Sequence, residues 1–264
     1  AGAGLPHWVP TRYPQKGALT ETDLFNAKRP IFLELGSGTG RLSGEIDSRE
    51  ILAIPVDRPG GVFRDEVPTL HLDMTTEHAQ ELLQDAVRTG RVVHVHMSAP
   101  GTSFDKIRDG RHRMRDKARP PLRELRDETH LLGKPRRDAE HPEGLTEAES
   151  RKVDHDNSVV HLYKTIIDLC ENQGASWTVE ARAESWMWNL GFMIDHESLE
   201  GVERVEFHGC AFGGPQPVRL AIVGRLPGLT KRLLRRCEAG HRHRAVPPGA
   251  ELAYPAELVQ QFAE

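Results

Sequence analysis

The apolar run Ile31-Phe-Leu-Glu-Leu35 breaks directly into Gly36-Ser-Gly38-Thr-Gly40, and an amphipathic stretch from Leu42 to Ile46 follows. A short strand, a glycine-dense turn and a helix in immediate succession leave few folds open. Glycines at that point allow backbone angles that a β-carbon forbids, and they let a ligand come close to the main chain. On its own the loop is also compatible with an ordinary strand-to-helix turn, so the weight falls on what comes after it.

The pattern repeats. Ile51 to Val56 reads as a second strand ending at Asp57, Thr69 to Leu72 as a third ending at Asp73, and Val92 to Met97 as a fourth. Between the last two, Ala79, Leu82, Leu83 and Ala86 have helical spacing over residues 77–88. Thr146 to Gln173 reads as one helix, with Thr146 and Glu149 set as a capping box and Val159, Leu162, Ile166 and Leu169 along one face. Trp177 to Val179, Val202 to Phe207 and Val218 to Val223 supply three more strands, the last two joined by a Gly-Pro-rich turn. Strands alternating with helices imply an α/β fold with a parallel, doubly wound sheet. Ligands of such sheets bind beyond the carboxyl ends of the strands, where the glycine turn and the two aspartates fall.

This frame divides the 264 residues into an N-terminal arm (1–30), a main domain (31–226) and a basic C-terminal tail (227–264). Within the main domain, residues 98–145 are long, polar and poor in core candidates, which in a compact domain points to a functional loop. Net charge is −4, but Lys106 to Arg126 holds nine basic residues against three acidic ones. Lys106, Arg108, Arg111, Arg113, Arg115, Lys117 and Arg119 are the candidates for gripping a nucleic-acid backbone, because arginine offers bidentate geometry to phosphate; a solvated charged loop is the alternative. No apolar stretch has the length of a membrane span and the first residues lack the order of a signal peptide, so the interior of a cell, nucleus or cytoplasm, is expected. Three cysteines at irregular spacing make no disulfide framework. Cys237, His241 and His243, with Cys210 from the last hairpin, have the ligand types of a tetrahedral zinc site; buried cysteines beside a basic strip are the alternative.

The loop at Glu34, Gly36, Gly38 and Gly40, with Asp57 and Asp73 closing the next two strands, matches in order the cofactor site of class I S-adenosylmethionine-dependent methyltransferases. By that resemblance the fold is a doubly wound, mixed, seven-stranded Rossmann-like sheet with a terminal antiparallel hairpin, and the loop faces the methionine portion, Asp57 the ribose and Asp73 the adenine, although an aspartate in Asp73's place also commonly caps a turn. Ser98-Ala-Pro-Gly101-Thr-Ser-Phe104 resembles the Pro-Cys-x-x-Phe-Ser segment of the cytosine-5 DNA methyltransferases. Glu180 and the downstream Ser185-Trp-Met-Trp188 are similar to that family's Glu-Asn-Pro region, and His208-Gly-Cys210-Ala-Phe to a late Cys-x-aromatic element. Ser98 lies at the cofactor end of the first of these segments. In that family a cysteine thiolate attacks carbon 6 of the base and the glutamate holds the base edge. Here Gly101 stands at the cysteine's place and Ala181-Arg182 replaces Asn-Pro, which implies an inactive or impaired member. An amino-methylating enzyme, a non-catalytic nucleic-acid-binding module and, more distantly, a dinucleotide oxidoreductase stay open on the residues alone.

Overall fold

The computed structural model describes residues 19–49, 51–60, 65–106, 123–214, 218–238, 243 and 254–263. Seven strands form one sheet: β1 (Ile31–Leu35), β2 (Leu52–Asp57), β3 (Leu70–His71), β4 (Val92–Ser98), β5 (Ser176–Arg182), β6 (Glu203–His208) and β7 (Arg219–Arg225). Their order across the sheet is β3-β2-β1-β4-β5-β7-β6. All neighbouring pairs are parallel except those made by β7, which runs antiparallel to β5 and β6. This is the doubly wound, mixed, seven-stranded sheet with an antiparallel closing hairpin expected above. The order reverses between β1 and β4, so a crevice opens at the carboxyl ends of those strands.

Side-chain parity assigns each face, since alternate residues of a strand point to opposite sides. Ile31, Leu33 and Leu35 of β1, Val95 and Met97 of β4, and Trp177, Val179 and Ala181 of β5 all enter the main core. Against that face pack α1 (Glu21–Asn26), α3 (Glu77–Arg88) and α5 (Glu147–Gln173). α5 begins at the expected capping box, where Thr146 accepts from the Glu149 amide and the Glu149 carboxylate reaches back to Thr146. It ends at Gly174, whose left-handed φ of 71° closes the last turn. Val159, Leu162, Tyr163, Ile166 and Ile167 of α5 are each at most 3% exposed. Each such side chain stabilises the fold by about 1.5–3 kcal/mol.

The opposite parity behaves differently. Phe32 and Glu34, then His94, His96 and Ser98, then Thr178 and Glu180 face α2 (Arg41–Asp47) and α8 (Ala256–Ala263). The short helices α4 (Gly101–Phe104), at the head of the polar segment, α6 (Gly191–Glu197) and α7 (Leu229–Leu233), with the 3-10 turns Trp186–Asn189 and Gly209–Phe212, complete the described elements.

Three expectations change. The arm is not all lead-in: α1 buries Leu24 completely in the main core. The C-terminal tail is not merely basic surface, because Leu258 and Val259 of α8 are 3% and 5% exposed and Phe262 packs edge-on against the His94 and His96 rings. The polar segment is folded where described: Leu125 and Leu145 form a small core with Val153 of α5. Each of these pieces is too short or too sparsely apolar to show a period, and each is held by tertiary contact instead. Among the described residues no helix is long and apolar enough to cross a membrane.

Candidate active site

The turn after β1 is built on three left-handed glycines, Gly36 (φ 74°), Gly38 (φ 58°) and Gly40 (φ 73°). A β-carbon on Gly36 would lie 3.1 Å from the Ser98 carbonyl and 3.4 Å from the Tyr163 hydroxyl, and one on Gly40 would strike Val67 Cγ2 at 2.4 Å. The Gly36 and Ser37 amides donate to the Val56 carbonyl at 2.9 and 3.1 Å, which fastens the loop to the end of β2. Asp57, closing that strand, accepts from the Gly38 amide at 2.7 Å and from its neighbour Arg58's amide at 2.7 Å. A carboxylate has about four acceptor positions, so two more stay available. The Ser37 hydroxyl is buried and has no hydrogen-bond partner among the described residues.

Glu34, placed by sequence in the cofactor loop, lies wholly inside. One of its oxygens accepts from the Ser43 amide (3.0 Å) and hydroxyl (2.5 Å) at the start of α2, while Oε1 has no partner among the described residues. Burial pushes its carboxyl up to about 7, against the lowering pull of the Ser43 bonds. Asp73 follows β3 and accepts from the Thr75 hydroxyl and amide at 2.7 and 3.0 Å, bonds that hold its carboxyl below the usual range. It thus makes the aspartate turn that the sequence allowed, immediately ahead of the Thr76 cap of α3. β3, β2 and β1 are adjacent in the sheet, so Asp73, Asp57 and the glycine loop lie side by side along one edge.

The next two strand ends carry the second half of the site. Ser98 and Glu180 are register partners on β4 and β5. Tyr163 of α5 donates to the Ser98 carbonyl at 2.8 Å and so joins this end to the glycine loop. Glu180 is held by a group that sequence reading left in the tail: the Tyr254 hydroxyl donates to Glu180 Oε2 at 2.7 Å. The same hydroxyl lies 3.0 Å from His96 Nε2 and 3.0 Å from Ser98 Oγ. Behind it Thr178 Oγ1 is 2.8 Å from His96 Nδ1 and 2.9 Å from His94 Nε2, and His94 Nδ1 reaches Ser176 at 2.8 Å. A continuous hydrogen-bonded line therefore runs under β4 and β5 to Glu180. Burial raises the Glu180 carboxyl to about 7 and lowers both histidines to about 3, so the imidazoles stay neutral.

Gly101 opens α4 directly beyond Ser98. A β-carbon there would meet Asp105 Oδ2 at 3.5 Å, an ordinary contact. Asp105 is in turn ion-paired with Arg182 at 2.9 Å. The Asp105 carboxylate thus stands between Gly101 and Arg182. α4 is anchored from below by Asp156 of α5, which accepts from the Ser103 amide at 2.7 Å and hydroxyl at 2.6 Å. The Ser103 hydroxyl accepts in turn from Arg126 at 2.7 and 3.1 Å, and the Arg126 guanidinium lies over the Phe104 ring.

Arg126 is completely buried, so the end of the basic segment is structural and not a phosphate contact. Lys106 covers the Trp186 ring at 3.7 Å. Arg108, Arg111, Arg113, Arg115, Lys117 and Arg119 lie outside the described residues, as does His241. Cys210, Cys237 and His243 do meet: their donor atoms all lie within 4.8 Å of one another, with Cys237 Sγ 3.4 Å from His243 Nε2.

Tyr254, His94, His96 and the Ser103-Asp156-Arg126 cluster are what sequence reading missed. The alternation of Val92-Val-His-Val-His-Met97 did carry a signal, polar residues at every second position of a strand. Tyr254 had only the Leu258, Val259 and Phe262 spacing behind it.

No protein-family model matches the chain, and no curated protein sequence matches it. Among solved structures, an alanine-substituted mutant of DNMT2 from Spodoptera frugiperda aligns with 79% of this chain at 15% identity and a TM-score of 0.40. The chain spans 53% of that protein's length.

Proposed function

We propose that the chain is an S-adenosylmethionine-binding, methyltransferase-like protein related to the cytosine-5 nucleic-acid methyltransferases, inactive or impaired in their chemistry because Gly101 stands in place of the thiol. The observation that carries this reading is the run of three adjacent strand ends. The left-handed glycine loop, Asp57 and Asp73 line the edge of β1, β2 and β3, where a methyltransferase cradles its cofactor.

The residues present fit that group. A side chain on Gly36 or Gly40 would strike the protein's own Ser98 and Val67, so the tight turn that presents the loop's backbone at the strand end requires glycine there. The Ser37 hydroxyl has no partner among the described residues. Asp57 keeps two acceptor positions for a pair of ribose hydroxyls, and Asp73 offers its outer oxygen to an adenine amino group. When bound, adenosylmethionine would supply an electrophilic methyl group. The chain's part is then to orient it toward the β4 end, where Ser98, Gly101 and Glu180 lie. A carboxyl raised to about 7 beside Tyr254 donates as well as accepts near neutral pH, which suits the edge of a base.

Nucleic acid is the proposed partner. With Lys106 held over Trp186, the basic residues after it, Arg108, Arg111, Arg113, Arg115, Lys117 and Arg119, would contact phosphates, with affinity falling as salt rises. The test is calorimetry with adenosylhomocysteine. Binding is expected, weakened about tenfold or more by Asp57→Ala, the equivalent of roughly 1.4 kcal/mol. Absence of heat with both adenosylmethionine and adenosylhomocysteine would overturn the reading.

A further inference from the structure

The far end of the sheet holds a second cluster, separate from the glycine loop. Cys210 lies in the short 3-10 turn Gly209–Phe212 after β6, Cys237 a few residues beyond α7, and His243 farther along the chain. Their donor atoms, and not merely their backbones, converge within 4.8 Å. In tetrahedral zinc coordination a sulfur and a nitrogen ligand lie roughly 3.6 Å apart, from Zn–S and Zn–N bonds of about 2.3 and 2.0–2.1 Å. Cys237 Sγ and His243 Nε2 are 3.4 Å apart. The surrounding backbone is arranged to hold this geometry. The Cys237 amide donates to His208 Nδ1 at 3.1 Å and the His208 amide to the Arg235 carbonyl at 3.0 Å, which pins the Cys237 stretch to the end of β6.

From there a chain of contacts leads to the site. Arg235 lies over the Phe212 ring, 4.7 Å from its centroid, and is ion-paired with Glu257 in the first turn of α8. Three residues before Glu257 stands Tyr254, whose carbonyl accepts from Arg41 at 3.3 Å and whose hydroxyl binds Glu180.

We propose that Cys210, Cys237 and His243 bind a zinc ion that clasps the C-terminal segment to the sheet and thereby sets Tyr254 against Glu180. Two thiolates and an imidazole are a soft sulfur and nitrogen set that favours zinc over magnesium or calcium. The ion is structural: with a fourth ligand completing the tetrahedron, it closes a loop between the β6 end and the C-terminal segment, and its binding free energy adds to the burial of Leu258 and Val259 in holding that segment. This site stands whether or not the chain binds adenosylmethionine.

The experiment is elemental analysis of the full chain purified without chelator. One zinc per chain is expected, lost in Cys210→Ser and in Cys237→Ser and retained in His243→Cys, which exchanges one zinc ligand type for another. Cobalt(II) in place of zinc should give the sulfur-to-metal charge-transfer absorption and visible bands of a tetrahedral thiolate site. Hydrogen exchange then tests the clasp: chelation should speed exchange across residues 254–263 and leave residues 147–173 unchanged. A natively folded chain that neither retains nor takes up zinc overturns the site, as does a Cys210–Cys237 disulfide found by mass under non-reducing conditions. Bound zinc whose removal leaves residues 254–263 unaltered overturns the link to Tyr254.

Discussion

At position 101 the backbone is helical and a β-carbon meets nothing closer than 3.5 Å, so a side chain can be restored there without strain. Gly101→Cys is expected to leave stability within about 0.5 kcal/mol of the parent, the usual range for an exposed position. The same variant should form a covalent adduct with an oligonucleotide containing 5-fluorocytosine. A folded variant that forms none would count against a competent base pocket. The glycine loop gives the opposite case. Gly40→Ala combines a left-handed φ with a β-carbon 2.4 Å from Val67, whereas Gly60, at φ 67°, has open space around it. In urea titrations Gly60→Ala should cost about 1–2 kcal/mol for the backbone alone. Gly40→Ala should cost about 1–3 kcal/mol more through overpacking. Equal costs would mean that Val67 yields freely and that the loop is not closely packed.

At the scale of elements, α4 is a single turn that could not persist alone. It exists because Asp156 of α5 takes both the amide and the hydroxyl of Ser103, and because Arg126 closes the other side of that hydroxyl. Burial lowers the Arg126 guanidinium to about 10, and the neighbouring Asp156 carboxylate counteracts that shift. Asp156→Ala would leave a buried cation without its counter-charge, at an expected cost of about 3–5 kcal/mol read from denaturant midpoints. A loss below about 1 kcal/mol, the size of an exposed pair, would show that the cluster admits water. The described ends of the basic segment rest on protein: Lys106 over the Trp186 ring, Arg123 on the Gly144 carbonyl and Arg126 on Asn157 of α5.

Across the whole molecule, the buried Glu34, His94 and His96 and the half-buried Glu180 make stability change with pH. Glu34 and Glu180 are raised from 4.5 to about 7, so the folded chain binds their protons before the unfolded chain does. Their contribution is complete below about 4.5 and is lost as pH climbs to about 7. His94 and His96 are lowered from 6.5 to about 3, so their contribution is complete above 6.5 and is lost as pH falls toward 3. The two effects oppose each other between about 4.5 and 6.5 and only the histidine loss continues below. Stability should therefore vary little from pH 6.5 to 4.5 and then drop steeply, as urea midpoints across this range would show. In Glu34→Gln one opposing gain is missing, and the decline should start nearer 6.5. A decline that starts at the same pH in both would mean that Glu34 is solvated in the folded chain.

Much of this protein was legible in the order of its residues. Local period and punctuation report on hydrogen bonding within a strand or turn, which is why seven strands, the long capped α5 and the glycine loop could all be placed from the chain itself. The alignment of Asp57 and Asp73 followed from strand order, a consequence of how βα units wind. What residue order could not show is which distant groups share a buried space. Tyr254 reaches Glu180 across 74 positions of chain, Asp156 and Arg126 meet beneath α4, and Cys210 faces Cys237. Each of these pairings was decided by packing, because a buried polar group must find its partner wherever the closed fold happens to bring one.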